Sequence, residues 1–213
     1  MRLNDLFDFS NFEHKTIFEE AINLWDPISH LDQYLRNQKK DTDIKSIGKG
    51  SQVSLTAKIS GPVIIGSNCE IQDGVLVREG VIIGDNCVIG HGTEIKHSII
   101  LGNTNIAHFN YVGDSVIGNH VNFAAGAITA NFKHGTKNEI VDIEVSGKKI
   151  PSGLKKFGSL IGDGAKIGCN AVLDPGTIIG QRTIVYPLAA IRGSIPANKI
   201  VKYRQNLEVV DRK

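Results

Sequence analysis

The chain has 213 residues, 41% of them hydrophobic. That is enough for one ordinary domain with an appendage, and too apolar for a disordered or fibrous protein. Charge is nearly balanced, 24 Lys+Arg against 22 Asp+Glu, which argues against a whole-protein nucleic-acid binder; no stretch approaches the roughly 18 apolar residues of a membrane span.

The N-terminus, MRLNDLFDFSNFEHK, is acidic and lacks the apolar core of a secretory signal. The three cysteines, Cys69, Cys87 and Cys169, lack the spacing of a zinc site or a disulfide framework, so a reducing cytoplasm and no resident metal are expected. Ser10-x-x-Glu13 has the form of a capping box. Ile17, Phe18, Ala21, Ile22 and Trp25 follow at helical spacing. Asp26-Pro27 supplies an N-cap and a first-turn proline, and Ile28, Leu31, Tyr34 and Leu35 make a second stripe. Residues 1–45 are therefore expected to form a helical hairpin and linker, packed on the end of the core or on a neighbouring subunit.

A period of six residues then sets in. From Ile47 the aliphatic positions are Val53, Ile59, Ile65, Ile71, Val77, Ile83, Ile89, Ile95 and Leu101. Two residues earlier stands a small or apolar residue, from Ser51 and Ala57 to Thr93 and Ile99. A second run steps through Ile161, Ile167, Leu173, Ile179, Val185 and Ile191. This pattern predicts an all-β, parallel β-helix of hexapeptides over residues 46–197. The aliphatic residues fill a narrow prism and each coil buries its neighbour's face. It also accounts for 23 glycines, about 11% against a typical value of roughly 7%, as corner residues.

Between the runs the spacing slips, through Ile106, Val112, Ile117, Phe123 and Thr129. Residues 131–158 then lose the period and carry Lys133, Lys137, Lys148, Lys149, Lys155 and Lys156, which reads as a loop ejected from the coil. Residues 198–213 read as a basic tail. The charge is asymmetric: residues 1–35 hold seven acids and two bases, and residues 131–213 hold 14 bases and seven acids.

Candidate chemistry gathers at the slip. Arg78 and Lys96 each follow an inward aliphatic residue and are expected on the outer wall of the prism; with Lys137 they could bind a phosphate. Single surface cations are usually solvated charge, so the weight rests on the set. Of seven histidines, His108 lies at the slip beside Asn110 and Tyr111, where a general base is most plausible.

The stretch HFNYVGDSVIGNHVNFAAGAITANF resembles the acetyltransferase domain of the bifunctional N-acetylglucosamine-1-phosphate uridyltransferase/glucosamine-1-phosphate acetyltransferase family. It also resembles archaeal sugar-1-phosphate nucleotidylyltransferases with amino-sugar acetyltransferase activity. The resemblance spans roughly residues 47–200. It implies a left-handed β-helix, a homotrimer with active sites between prisms, and acetyl-CoA as co-substrate. By position it makes His108 the catalytic base, Glu94 a carboxylate that orients it, and Asn131 an asparagine near the acetyl group. Arg78, Lys96, Tyr111, Asn122 and Lys137 become contacts to a phosphorylated amino sugar. Ala125, Cys169 and Arg204 become contacts to acetyl-CoA. Phe132 departs from the family's tyrosine, and Cys169 stands near the family's serine. The loop 131–158 is longer, and the helical hairpin is foreign to the bifunctional enzyme. The nucleotide loop G-x-G-T-R does not occur, so acetyl transfer without pyrophosphorylase activity is expected.

Three rival readings share parts of this pattern. A γ-class carbonic anhydrase needs three histidines on zinc, but only His91 falls in place, with Val77/Arg78 and Lys96 at the other two positions. A noncatalytic hexapeptide assembly module is possible for the fold. A nucleotide-linked amino sugar is an alternative acceptor.

Overall fold

The computed structural model describes residues 1–38, 45–135, 139–145, 147–204 and 208–212. Among these, parallel strands of two to three residues wind into a three-sided prism. The first sheet stacks eight strands, from Lys45–Ile47 to Ser194–Ile195. The second stacks eight, from Gln52–Val53 to Ile200–Val201, and the third seven, from Lys58–Ile59 to Ala190–Ile191. All pairings in the three sheets are parallel, and the solenoid matches a left-handed β-helix.

The interior is the hexapeptide pattern made solid. Ile65, Ile71 and Val77 converge from the three sheets of one coil, and Ile83, Ile89 and Ile95 stack on them in the next; Ile167, Leu173, Ile179 and Val185 repeat this further on, all buried. Cys69 and Cys87 occupy the small position, fully covered, whereas Cys169 is exposed at a corner. Each buried aliphatic side chain stabilises the fold by about 1.5–3 kcal/mol relative to exposure.

The first run ends one hexapeptide earlier than the sequence pattern suggests. Ile83 pairs with Ile100, not Leu101, so that coil is one residue short. Ile100 fills the prism and Leu101 faces an outer cluster. The missing residue is taken up at His97, whose φ of 44° turns the chain sharply. Both candidates are aliphatic, so spacing alone could not separate them. The small position there is Ser98 rather than Ile99.

The outer face of the first sheet is apolar: Ile82, Ile99, Val116, Leu160 and Ile178 are all buried. They are covered by the N-terminal segment, which lies on the side of the prism and not on its end. Its helical content is less than the pattern implies. Helix α1 is one turn, Thr16–Glu19, and α2 runs Asp26–Gln38. No helix starts at Ser10; its N–H donates to Asp8 Oδ1 at 2.9 Å, a local turn that competes with helix. The Asp26 carboxylate accepts from the N–H groups of Ile22 (2.9 Å) and Asn23 (2.8 Å), so it closes the preceding turn. Helix α2 packs Ile28, Leu31 and Leu35 into the cluster across strand Ser98–Ile100.

The segment that loses the period is laid along the same flank. Asp142–Val145 pairs antiparallel with Lys148–Pro151, and Val141, Ile143 and Phe157 are buried in the outer cluster. The polar pin is Asp163, whose carboxylate accepts from the N–H groups of Asp8 and Asn119, both at 2.7 Å. No helix among the described residues is long and apolar enough to cross a membrane.

Candidate active site on the third sheet and its two corners

The third sheet's outer face carries much of the candidate chemistry, because period-two alternation turns every second strand residue outward. Register stacks Leu76, Glu94, Tyr111 and Ile128 in one column and sets Lys96 opposite Gly113. Arg78 lies one coil before Lys96, its N–H bonded to Ile95 O at 2.8 Å. Arg78 Nη1 meets Glu94 Oε1 at 3.2 Å, with both side chains partly exposed. Glu94 therefore pairs with the guanidinium and makes no bond to His108, unlike the orienting role the resemblance implies. A bare cation and carboxylate side by side on one face neutralise each other.

At the corner where the chain leaves this sheet, the outbound corner, the polar groups bond one another. The Asn131 amide donates to Tyr111 Oη at 3.1 Å and to the Asp114 carboxylate. The other oxygen of Asp114 meets His97 Nδ1 at 3.0 Å, and His97 Nε2 lies 3.5 Å from Asp32 Oδ1 on α2. Asp114 is 4% exposed. Burial pushes its carboxyl up, but the hydrogen bonds from His97 and Asn131, with the nearby His97 and Lys96, outweigh this and hold it below the ordinary aspartate value. Burial pushes the Tyr111 phenol up, and the charges of Asp114 and Glu94 add to it. Gly113 makes room for the cluster: a Cβ there would stand 2.6 Å from Tyr111 Oη and 2.8 Å from Asn131 Nδ2.

At the inbound corner, where the chain enters the sheet, successive coils stack His91, His108, Ala125 and Cys169. The ladder bonds Phe109 N–H to His91 O (2.9 Å), Gly126 N–H to His108 O (2.9 Å) and Asn170 N–H to Ala125 O (3.0 Å) fix this column. His108 is exposed and its ring has no partner among the described residues. Phe109 is 63% exposed with φ +53°, its ring edge-on to His91 at 5.2 Å.

Thus Arg78, Glu94, Lys96, Tyr111 and Asn131 share one face and its outbound corner, and His108, Ala125 and Cys169 share the inbound corner. Asn122 is elsewhere, on the second sheet between Asn105 and Lys166. Arg204 lies in the exposed tail beyond Ile200–Val201. Lys137 lies outside the described residues. Sequence reasoning passed over Asp114, His97 and Asp32. Asp114 and His97 sit beside chosen residues, but nothing periodic ties them to Asp32, 65 positions before His97. Among the described residues no three His, Cys, Asp or Glu side chains converge as a metal site would require.

Residues 59–150 match the family model described as the GMPPB C-terminal domain. The chain is 38% identical over 99 residues (46% of the chain, 24% of the relative) to a bifunctional sugar-1-phosphate nucleotidylyltransferase/acetyltransferase of Sulfurisphaera tokodaii. It is 42% identical over 83 residues (39% of the chain, 19% of the relative) to the bifunctional protein GlmU of Methanococcus vannielii. A longer match, 31% over 164 residues, covers 76% of the chain and 28% of GlmU of Synechococcus elongatus. The chain spans about a quarter of the length of these curated relatives. Among solved structures, a mutant of AntD, an N-acyltransferase from Bacillus cereus in complex with dTDP and coenzyme A, superposes with TM-score 0.50 at 18% identity, covering 83% of this chain and 89% of that one; this is a likeness of fold. Together with the hexapeptide prism, these matches make the chain's β-helix similar to the left-handed β-helix domains of GlmU-like bifunctional proteins.

Proposed function

We propose that the chain is an acetyl-CoA-dependent N-acetyltransferase whose acceptor is an amino sugar phosphate such as glucosamine 1-phosphate. The observation that carries this reading is the register that sets Arg78 beside Lys96, next to the Glu94–Tyr111 column of the same sheet, with His108 at that sheet's other corner. Lys96, and Arg78 once its pair with Glu94 opens, suit a phosphate, and an exposed imidazole suits proton removal from an amine. The curated relatives, which join sugar-1-phosphate chemistry to acetyl transfer by name, support the same class. In the reaction the acceptor amine attacks the thioester carbonyl of acetyl-CoA. The new bond is N–C and the bond lost is C–S. His108 takes the amine proton, and the CoA thiolate leaves and is protonated. Asn131 lies at the acetyl end, and Ala125 and Cys169 line the path of the CoA arm. The working unit is a homotrimer in the cytoplasm, in which a neighbouring prism completes the site and Asn122 of one copy, on the second sheet, reaches the acceptor at another.

The deciding experiment is thiol release from acetyl-CoA with glucosamine 1-phosphate, galactosamine 1-phosphate and UDP-linked amino sugars. Turnover with a sugar 1-phosphate is expected, and Arg78→Ala should raise its KM far more than that for acetyl-CoA. Release with nucleotide-linked sugars alone would move the acceptor to that class. No release with any of them would sink the enzymatic reading and favour an assembly module.

A further inference from the structure

The outbound corner holds more polar chemistry than a corner needs. Asp163, at the corner between the first and second sheets, satisfies its carboxylate with backbone N–H groups. Asp114 is more deeply buried, and both its oxygens go to side chains, His97 and Asn131. An ionised carboxylate only accepts hydrogen bonds, so it obliges Asn131 to present its amide nitrogen. The second amide hydrogen reaches Tyr111 Oη. Both donors are then committed, and the amide oxygen takes no hydrogen bond among the described residues. That oxygen is an acceptor of fixed direction, suited to the N–H of an incoming amine. His97 is held in turn: each ring nitrogen faces a carboxylate, Asp114 on the prism and Asp32 on α2. Gly80 gives the ring its space, since a Cβ there would come within 2.8 Å of His97 Cδ2.

We infer that Asp114 and His97 are positioning residues that fix the amide of Asn131 and the hydroxyl of Tyr111 for the acceptor, and that α2, through Asp32, is part of that scaffold. The N-terminal segment therefore does more than cover the apolar outer face of the first sheet. Helix α2 is seated there by Leu31 and Leu35, which flank Asp32 on the buried side, so its position and the site's geometry are linked. The role in turnover rests on the acetyltransferase reading above; the coupling itself does not.

The test uses the full chain in wild-type, Asp32→Ala and Asp114→Asn forms, with two readouts. The first is the side-chain amide resonance pair of Asn131 by NMR, assigned by its loss in Asn131→Ala. The second is KM for the acceptor set against KM for acetyl-CoA. Asp114→Asn keeps the shape but lets the facing amide turn over. It should shift the Asn131 resonances and raise the acceptor KM about tenfold or more, with acetyl-CoA within about twofold. Asp32→Ala should move both readouts the same way by a smaller factor. Unchanged resonances together with unchanged acceptor KM would overturn the inference while leaving acetyl transfer intact. If the wild type turns over no acceptor, the functional reading fails, and the Asn131 shift in Asp32→Ala alone decides the coupling. If Asp114→Asn does not fold, the exposed α2 substitution decides it in the same way.

Discussion

The two corners of the third sheet are built from the same coil geometry and treat their polar side chains in opposite ways. At the outbound corner Asp32, His97, Asp114, Asn131 and Tyr111 bond one another, and the central carboxylate is nearly out of reach of water. At the inbound corner His108 and Phe109 project into solvent, and His108 meets no side-chain partner among the described residues. A corner of this fold needs only a residue that tolerates a left-handed backbone, and most are Gly or Asn: Gly74, Gly92, Gly126, Asn68, Asn86 and Asn170. Departures from that minimum mark where the sequence answers to something besides folding. One corner departs toward internal order, and the other leaves its polar and aromatic side chains exposed.

The sharpest way to break this contrast is His108→Ala. If the inbound corner exists for a ligand, turnover should fall by about 10²–10⁴-fold, the range for loss of a general base. The midpoint of thermal unfolding should stay where it is, because the ring is exposed and unbonded. A large fall in stability with little change in turnover would reverse the assignment of the two corners. Steady-state thiol release and calorimetry on the same preparation separate the outcomes.

The outbound corner should respond in the opposite sense, through stability and through pH. The Asp114 carboxyl titrates below its ordinary value of 3.8, because hydrogen bonds from His97 and Asn131 outweigh its burial. A depressed carboxyl stabilises the fold fully above its unfolded-state pKa, and that contribution is lost as pH falls through the folded-state value. Asp114→Asn should therefore cost about 1–3 kcal/mol at neutral pH, the cost of a buried bond network left incompletely paired. The gap between wild type and variant should narrow below pH about 4. Unfolding midpoints measured across that range check it. A gap independent of pH would mean the charge of Asp114 is not what the corner uses.

These differences bear on how much of the molecule can be read from its residues. The prism is legible because its determinant is local and repeated: one aliphatic residue every six positions, from Ile47 to Ile95 and again from Ile161 to Ile191, buried from Ile65 onward, with Val53 and Ile59 partly buried and Ile47 exposed at the end of the stack. Legibility fails where two residues satisfy the rule equally. Ile100 and Leu101 are both aliphatic, and only the turn at His97 decides which faces inward. It fails again where an element is defined by what it covers. The spacing of Ile28, Leu31 and Leu35 announces α2, but not that the helix lies against Ile82 and Ile99 on the flank of the prism. The site divides in the same way. Arg78, Lys96 and Tyr111 follow from the period, since each is placed by its offset from an inward neighbour. Asp32 reaches His97 from a helix docked by apolar packing, a contact that no spacing encodes.

The smallest expected effect tests the inbound corner from the side of folding. Phe109 holds a left-handed backbone at φ +53°, which costs a residue with a Cβ about 1–2 kcal/mol. Its ring gains one edge-to-face contact with His91, in the range of about 0.5–1.5 kcal/mol. Phe109→Gly removes the strain and the contact together, and adds about 0.5–1 kcal/mol of unfolded-chain entropy. These terms nearly cancel, so stability should change by less than about 1 kcal/mol, against about 3–5 kcal/mol for Phe123→Ala inside the prism. Denaturant unfolding of the two variants measures the difference. A Phe109→Gly loss as large as that of Phe123→Ala would show that the ring is packed as core. A near-neutral result means that an exposed, strained aromatic beside His108 persists without a folding reason, which ties it to whatever docks at that corner.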